Sequence, residues 1–215
     1  SHPKTVSKIA KTLNSRGFTV NLTNPKNWFY YLPAHHKYVF TLAWSRDKTF
    51  QSRRSHLLPS PHPTGINPFI ARAMVNLVQA DEIHDPFCGA GGILLEAALA
   101  GKRVVGSDVS PSMLKKAKSN LSASVNVREL FLGDALDVDL GRYVVTDIPY
   151  GNNSSIVGND ILDRFLSRLK SSCIEAVVCY PRRMHSTLAE AISTTYFDVY
   201  VHRSLTRRVL FYKAS

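Results

Sequence analysis

Acid is what this chain lacks at one end. Residues 1–66 contain a single acid, Asp47, against ten Lys and Arg, whereas residues 67–215 hold 15 acids against 17 bases. The formal net charge of +11 is therefore concentrated in the first third. That arrangement suits a polyanion-binding appendage on a near-neutral body, and a merely solvated charged face has the same composition. Cysteine is scarce as well. Cys88, Cys173 and Cys179 are odd in number and have no metal-ligand spacing, so no metal site is expected and reduced thiols in a cytoplasmic protein are the simplest reading. No apolar run approaches ~20 residues, so no membrane span is expected. No secretory signal pattern, internal repeat or low-complexity tract is found, and Ser1-His2 has the look of a tag remnant and is left aside. What remains is 215 residues, 44% hydrophobic and 20% charged, enough for one core of ordinary size with some chain left over.

The chain is organised around Asp85-Pro86-Phe87-Cys88-Gly89-Ala90-Gly91-Gly92, which follows the short apolar run from Ile83 and precedes a good helix former, Ile93 to Ala100. Strand, glycine turn and helix bring the backbone close to a ligand and aim a helix N-terminus at it. A dinucleotide fingerprint would need a third glycine where this chain has Leu94, so a pyrophosphate site is poorly supported. Val104 to Asp108, Leu130 to Asp134 and Tyr143 to Asp147 repeat the pattern of an apolar run closed by an acid. Four acids, Asp85, Asp108, Asp134 and Asp147, at successive strand ends can line the edge of a parallel sheet where such sheets bind ligands.

The run Asp147-Ile148-Pro149-Tyr150 resembles the Asp/Asn-Pro-Pro-Tyr hallmark of class I S-adenosylmethionine-dependent amino-methyltransferases, with Ile148 in place of the first proline. The lead-in His62-Pro63-Thr64-Gly65-Ile66-Asn67-Pro68 and the final stretch Val201 to Arg208 are similar to the archaeal and eukaryotic tRNA guanine-N2 methyltransferases acting at tRNA position 10. Val20-Asn21-Leu22-Thr23-Asn24-Pro25 resembles a strand and turn from the later half of a THUMP domain, an RNA-binding module. The resemblance implies an α/β fold: a doubly wound, mostly parallel seven-stranded Rossmann-like sheet with a C-terminal antiparallel hairpin, plus a small α+β partial THUMP-like unit. It implies domains at 1–50 (THUMP-like), 51–66 (linker) and 67–215 (methyltransferase). It also implies methyl transfer to a guanosine N2 amine in tRNA, the alternatives being an adenine amino-methyltransferase on RNA or DNA and a non-catalytic RNA-binding homologue. A protein partner, or the missing THUMP half, is a further expectation.

Periodicity agrees with that plan. Val6, Ile9 and Leu13 lie at helical spacing with Gly17 as a stop; Phe18–Leu22, Trp28–Leu32 and Tyr38–Trp44 read as strands. Asn67 and Pro68 form a helix start, as do Ser110 and Pro111.

Roles follow for the site residues. Asp108 would hold ribose hydroxyls, or else cap the helix after it. Asp134 would accept from an adenine amino group, or else form a turn. Asp85 would hold the methionine ammonium, or else form a turn. Phe87, Gly89, Gly91, Val109, Ala135 and Asp147 complete the expected cofactor contacts, with Gly65 to Asn67 closing over the methionine end. Cys88 is expected to pack rather than attack. An exocyclic amine is a poor nucleophile because its lone pair is delocalised, so two acceptors must hold its hydrogens. The Asp147 carboxylate and the Ile148 carbonyl can do this, while Pro149 fixes the backbone and Tyr150 stacks on the base. Replacing proline by Ile148 is expected to cost rigidity. Arg53 and Arg54 are candidate phosphate contacts or else merely exposed; Arg203, Arg207 and Arg208 are candidate phosphate contacts or else an ordinary basic hairpin tip, and Arg182 and Arg183 share that ambiguity.

Overall fold

The computed structural model describes residues 3–21, 28–34, 37–43, 49–63, 65–149, 160–193 and 195–214. The chain divides into two compact units, residues 1–48 and 49–215.

In the first unit, α1 (Pro3–Ser15) precedes the antiparallel pair β1 (Trp28–Ala34) and β2 (Lys37–Ala43), in register from Trp28↔Ala43 to Ala34↔Lys37. Gly17, at φ 86°, ends the helix, and the Gly17 and Phe18 amides bond back to the Asn14 and Leu13 carbonyls. The strand expected at Phe18–Leu22 is not formed over residues 18–21. The Val20 amide donates to the Asn14 side chain instead of to a neighbouring strand, and Phe18 is exposed. Residues 22–27 and Trp44 lie outside the described residues.

The second unit holds a seven-stranded sheet: β3 (Glu82–Asp85), β4 (Arg103–Asp108), β5 (Val127–Leu132), β6 (Tyr143–Asp147), β7 (Glu175–Pro181), β8 (Thr195–His202) and β9 (Leu205–Lys213). The order is β5-β4-β3-β6-β7-β9-β8; the first five in that order pair in parallel, and β9 is antiparallel to both its neighbours, β7 and β8. The chain winds outward from β3 to β5, then returns to start β6 on the other side of β3. That reversal makes the carboxyl ends of β3 and β6 the switch point of the sheet, the place where such sheets take ligands. Three of the four acids close their strands there: Asp85 on β3, Asp108 on β4 and Asp147 on β6, with Asp134 two residues beyond β5.

Helices cover both faces, and strand alternation divides the core between them. Val177 and Cys179 of β7 join Met74, Val75 and Leu94 from α3 (Pro68–Leu77) and α4 (Gly92–Leu99). Ala176, Val178 and Tyr180 join Phe165, Leu166 and Leu169 of α6 (Asp160–Ser172) on the opposite face. All seven residues of β7 are buried, as a strand covered on both sides requires. The expected helix starts form as the sequence suggested. Asn67 accepts from the Phe69 amide at 2.9 Å and Pro68 occupies the first turn of α3. Ser110 and Pro111 play the same parts for α5 (Pro111–Asn120).

The 51–66 segment, expected as a linker, packs onto this unit. It carries α2 (Thr49–Ser52) and a short 3-10 turn at Ser55–Leu57. The Ser60 amide donates to Asn120 Oδ1 at 2.8 Å, and Asn120 Nδ2 donates to the Ser60 and Ala90 carbonyls at 3.1 and 2.9 Å. One side chain thus joins the segment, α5 and the glycine turn.

Candidate active site

The glycine turn is held by its neighbours rather than by its own bulk. Gly89 and Gly91 have φ of 51° and 85°, a region costly for residues with a Cβ, and Gly91 turns the chain into α4. The Cys88 amide donates to the Ser107 carbonyl at 3.0 Å and the Gly89 amide to Asp108 Oδ2 at 2.8 Å, so the turn is tied to the end of β4. Asp108 Oδ1 accepts from the Ser110 amide at 2.8 Å. Asp108 therefore serves both turn and helix start, and Ser110 is the cap. Each carboxylate oxygen accepts from one backbone amide, which leaves capacity for hydroxyl donors.

Asp134 Oδ1 accepts from the Leu136 amide at 2.8 Å, while Oδ2 has no hydrogen bond among the described residues and can receive an amino group. Ala135 is buried with core residues and its carbonyl accepts from Arg168 at 2.9 Å. Phe87 packs edge-on against Phe165, with ring centroids 5.0 Å apart, and Val109 is exposed.

Asp85 is enclosed, accepting from Thr146 Oγ1 at 2.6 Å and from the Phe87 amide at 3.2 Å. Burial pushes its carboxyl up to about 7 against these two hydrogen bonds, and the neighbouring acids Asp147 and Asp108 add to the rise. The folded form thus holds a proton that the unfolded chain releases near 3.8. Stability from this group is full below about pH 4 and is lost as pH rises towards 7. Asp85→Asn is expected to flatten that loss, on the order of a few kcal/mol. It should raise the melting temperature of the ligand-free protein at pH 8 while weakening binding of a cationic ligand. An unchanged pH dependence in melting scans would show that Asp85 ionises without cost.

Asp147 occupies the most chemically distinctive position. Its Oδ2 accepts from Arg207 of β9 in an ion pair, and Arg207 Nη1 also lies 3.7 Å from Cys179 Sγ. Asp147 Oδ1 is enclosed and has no hydrogen-bond partner among the described residues. Burial raises the Asp147 carboxyl above its ordinary value, and the Arg207 guanidinium partly opposes that rise. The other such oxygen, Glu82 Oε2, lies 3.3 Å from Arg103, which like Glu82 belongs to the amino ends of the strands. A groove of about 1130 Å³ opens at those amino ends, lined in part by Glu82, Arg103, Arg128 and Tyr143; it is remote from the acid series.

Ile148 keeps more order than its sequence suggested. Its amide donates to the Cys179 carbonyl at 2.8 Å, extending the ladder past β6, and its side chain is fully buried with Ile161 and Leu162. A proline here could not make that bond. Pro149 is exposed, and Tyr150 lies outside the described residues.

Two of the five candidate phosphate contacts are corrected. Arg207 is buried at 4% exposure against Asp147, so it belongs to the site's interior. Arg53 turns inward to Glu96, with Nε–Oε1 2.5 Å and Nη2–Oε2 3.3 Å, and lies 4.4 Å over the Phe50 ring. Arg208 is largely occupied by Asp198, at 2.9 and 3.2 Å, and by the Tyr196 ring at 4.2 Å. Arg54 and Arg203 are exposed, as are Arg182 and Arg183 near the carboxyl end of β7. Glu96, buried between Arg53 and Arg72, was not singled out by sequence reasoning. The three cysteines are buried and unpaired, and no cluster able to hold a metal is found among the described residues. Among those residues, no helix is long and apolar enough to cross a membrane.

A doubly wound sheet with this strand order, a glycine turn after its first strand and acids at successive strand ends defines a class I methyltransferase. The chain belongs to the family described as UPF0020, RMKL-like, methyltransferase domain, whose model matches residues 56–207. It is 33% identical, over 222 residues, to a tRNA (guanine(10)-N2)-dimethyltransferase of Methanothermobacter thermautotrophicus, an alignment covering 95% of this chain and 66% of that protein. It is 37% identical over 113 residues to the U6 snRNA (guanine-N(2))-methyltransferase THUMPD2 of Bos taurus, covering 45% of this chain and 21% of that one. The fold is similar to that of TrmN from Thermus thermophilus, with TM-score 0.58, 16% identity, and coverage of 100% of this chain and 68% of that chain. The chain spans about half to two thirds of the length of the tRNA-acting relatives named dimethyltransferases from Methanothermobacter, Pyrococcus and Methanocaldococcus.

Proposed function

We propose that this chain binds S-adenosylmethionine and methylates the exocyclic N2 amine of a guanosine in tRNA, at position 10. The observation that carries the reading is Asp147 Oδ1, an enclosed carboxylate oxygen without a donor at the sheet's switch point. A buried acceptor left unpaired is costly, and a substrate N–H would relieve that cost. The relatives support the base: two enzymes acting on different RNAs are both named for guanine N2.

The residues present fit the cofactor. Asp108 and Asp134 retain acceptor capacity for ribose hydroxyls and an adenine amino group, Asp85 offers a buried carboxyl to an ammonium, and the positive-φ Gly89 has open space where a side chain would stand. S-adenosylmethionine supplies the electrophilic methyl group when bound. The chain's own residues act by placement. Asp147 Oδ1 and the Ile148 carbonyl accept the two amine hydrogens, which turns the nitrogen lone pair out of the base plane. Asp147 is also placed to receive the proton that the nitrogen loses. Exposed Arg54 and Arg203 contact RNA phosphates, and a fuller THUMP module or a partner subunit supplies further RNA affinity.

The test is methyl incorporation into an unmodified tRNA transcript and into one carrying inosine at position 10, which lacks the N2 amine. Transfer to the first and none to the second is expected. Equal transfer to both would overturn the assignment of atom and position.

A further inference from the structure

Arg207 meets Asp147 from the reversed strand. β9 runs antiparallel to β7, so its first residues lie beside the carboxyl end of β7, and Arg207 is in register with Pro181. Asp147 is in register with Cys179 on the other side of β7. The arginine side chain therefore crosses the end of β7, passes Cys179 Sγ, and reaches Asp147 Oδ2. Both side chains are largely shielded, at 5% and 16% exposure. A guanidinium only donates.

This geometry restricts the chemistry of position 147. One oxygen accepts from Arg207, and the other is enclosed without a hydrogen-bond partner among the described residues. An asparagine has one oxygen and one NH₂. If its oxygen met Arg207, its NH₂ would point donor-first at the substrate amine. If it turned over, its NH₂ would oppose the guanidinium. We infer that Arg207 is a positioning residue: it fixes the Asp147 carboxylate by Oδ2, aims Oδ1 at the substrate amine, and makes an acid rather than an amide obligatory at this position. The inference rests on the function proposed above and adds to it the residue that decides between Asp and Asn in the motif.

A double-mutant cycle tests it, using Asp147→Asn, Arg207→Met, the double variant and Arg207→Lys in the full chain. In the presence of Arg207, Asp147→Asn should lower kcat for tRNA methylation by about 100-fold, the scale seen when one aligned hydrogen-bonding group is lost. In the Arg207→Met background the same change should cost less than about 10-fold, because the amide is then free to turn its oxygen to the amine. Arg207→Lys, which keeps a donor and the charge, should retain more activity than Arg207→Met. Cofactor affinity, read by calorimetry, should be unchanged throughout, which separates positioning from misfolding. A second readout needs no turnover: ¹³C NMR titration should place the Asp147 carboxyl higher in Arg207→Met than in the wild type. Independent, multiplying effects of the two changes on kcat, with wild-type activity intact, would overturn the inference and leave the proposed function standing. A wild-type protein that binds cofactor but methylates no tRNA would overturn both.

Discussion

Asp147→Ala is expected to reduce methyl transfer to tRNA by at least about 100-fold while leaving the cofactor's binding residues in place. Two losses combine in this variant. On the proposed function, the substrate amine would lose the acceptor at Oδ1, and its lone pair would stay delocalised into the ring. Arg207 also loses its ion-pair partner in a shielded position. Removing one member of a buried pair typically costs about 3–5 kcal/mol of stability. The variant should therefore be compared at a temperature well below its lowered melting point. A kcat loss with unchanged cofactor affinity is the expected pattern. Parallel losses in both would place Asp147 in the scaffold and not in the chemistry.

The second large effect concerns the segment before the sheet. Glu96, on α4, is 1% exposed and is held by Arg53 and Arg72, whose side chains are 15% and 23% exposed. Arg53 in turn lies over Phe50, which stacks on Phe69 at 4.4 Å. Removing both arginines leaves a buried carboxylate with no cation, whereas removing Glu96 leaves two long cations that can swing into water. Arg53→Ala with Arg72→Ala is therefore expected to lower stability by about 3–5 kcal/mol, and Glu96→Gln by clearly less. Denaturant melts of the two proteins measure the difference. A larger loss for Glu96→Gln would mean that the carboxylate, not its burial, sets the energetics. Because α4 begins at the glycine turn, the double variant should also loosen the proposed cofactor site.

The acid series was legible in the sequence because each acid closes an apolar run, and strand ends are local features. The glycine turn and the starts of α3 and α5 were legible for the same reason. The arginines were not, because a long side chain takes its partner from the tertiary fold. Leu205, Arg207 and Val209 alternate inward along β9, a period-2 signal that would have turned Arg207 towards the sheet. Composition alone suggested RNA instead. Arg53 was misread similarly, since its partner is 43 residues away. Phe18 to Leu22 alternates like a strand, yet over residues 18–21 no ladder forms and the Asn14 side chain takes the Val20 amide. Ile148 looked like a loosened motif only because the hydrogen bond to Cys179 requires a neighbouring strand to be seen.

The central claim is that Asp147 presents an acceptor to a guanine N2 amine. Its most direct measurement is transfer of labelled methyl groups from S-adenosylmethionine to unmodified tRNA by the wild type and by Asp147→Ala, followed by digestion to nucleosides. The account predicts label in N2-methylated guanosine that disappears in the variant. Label in a methylated adenosine, or N2-methylguanosine formed equally well by both proteins, would contradict it.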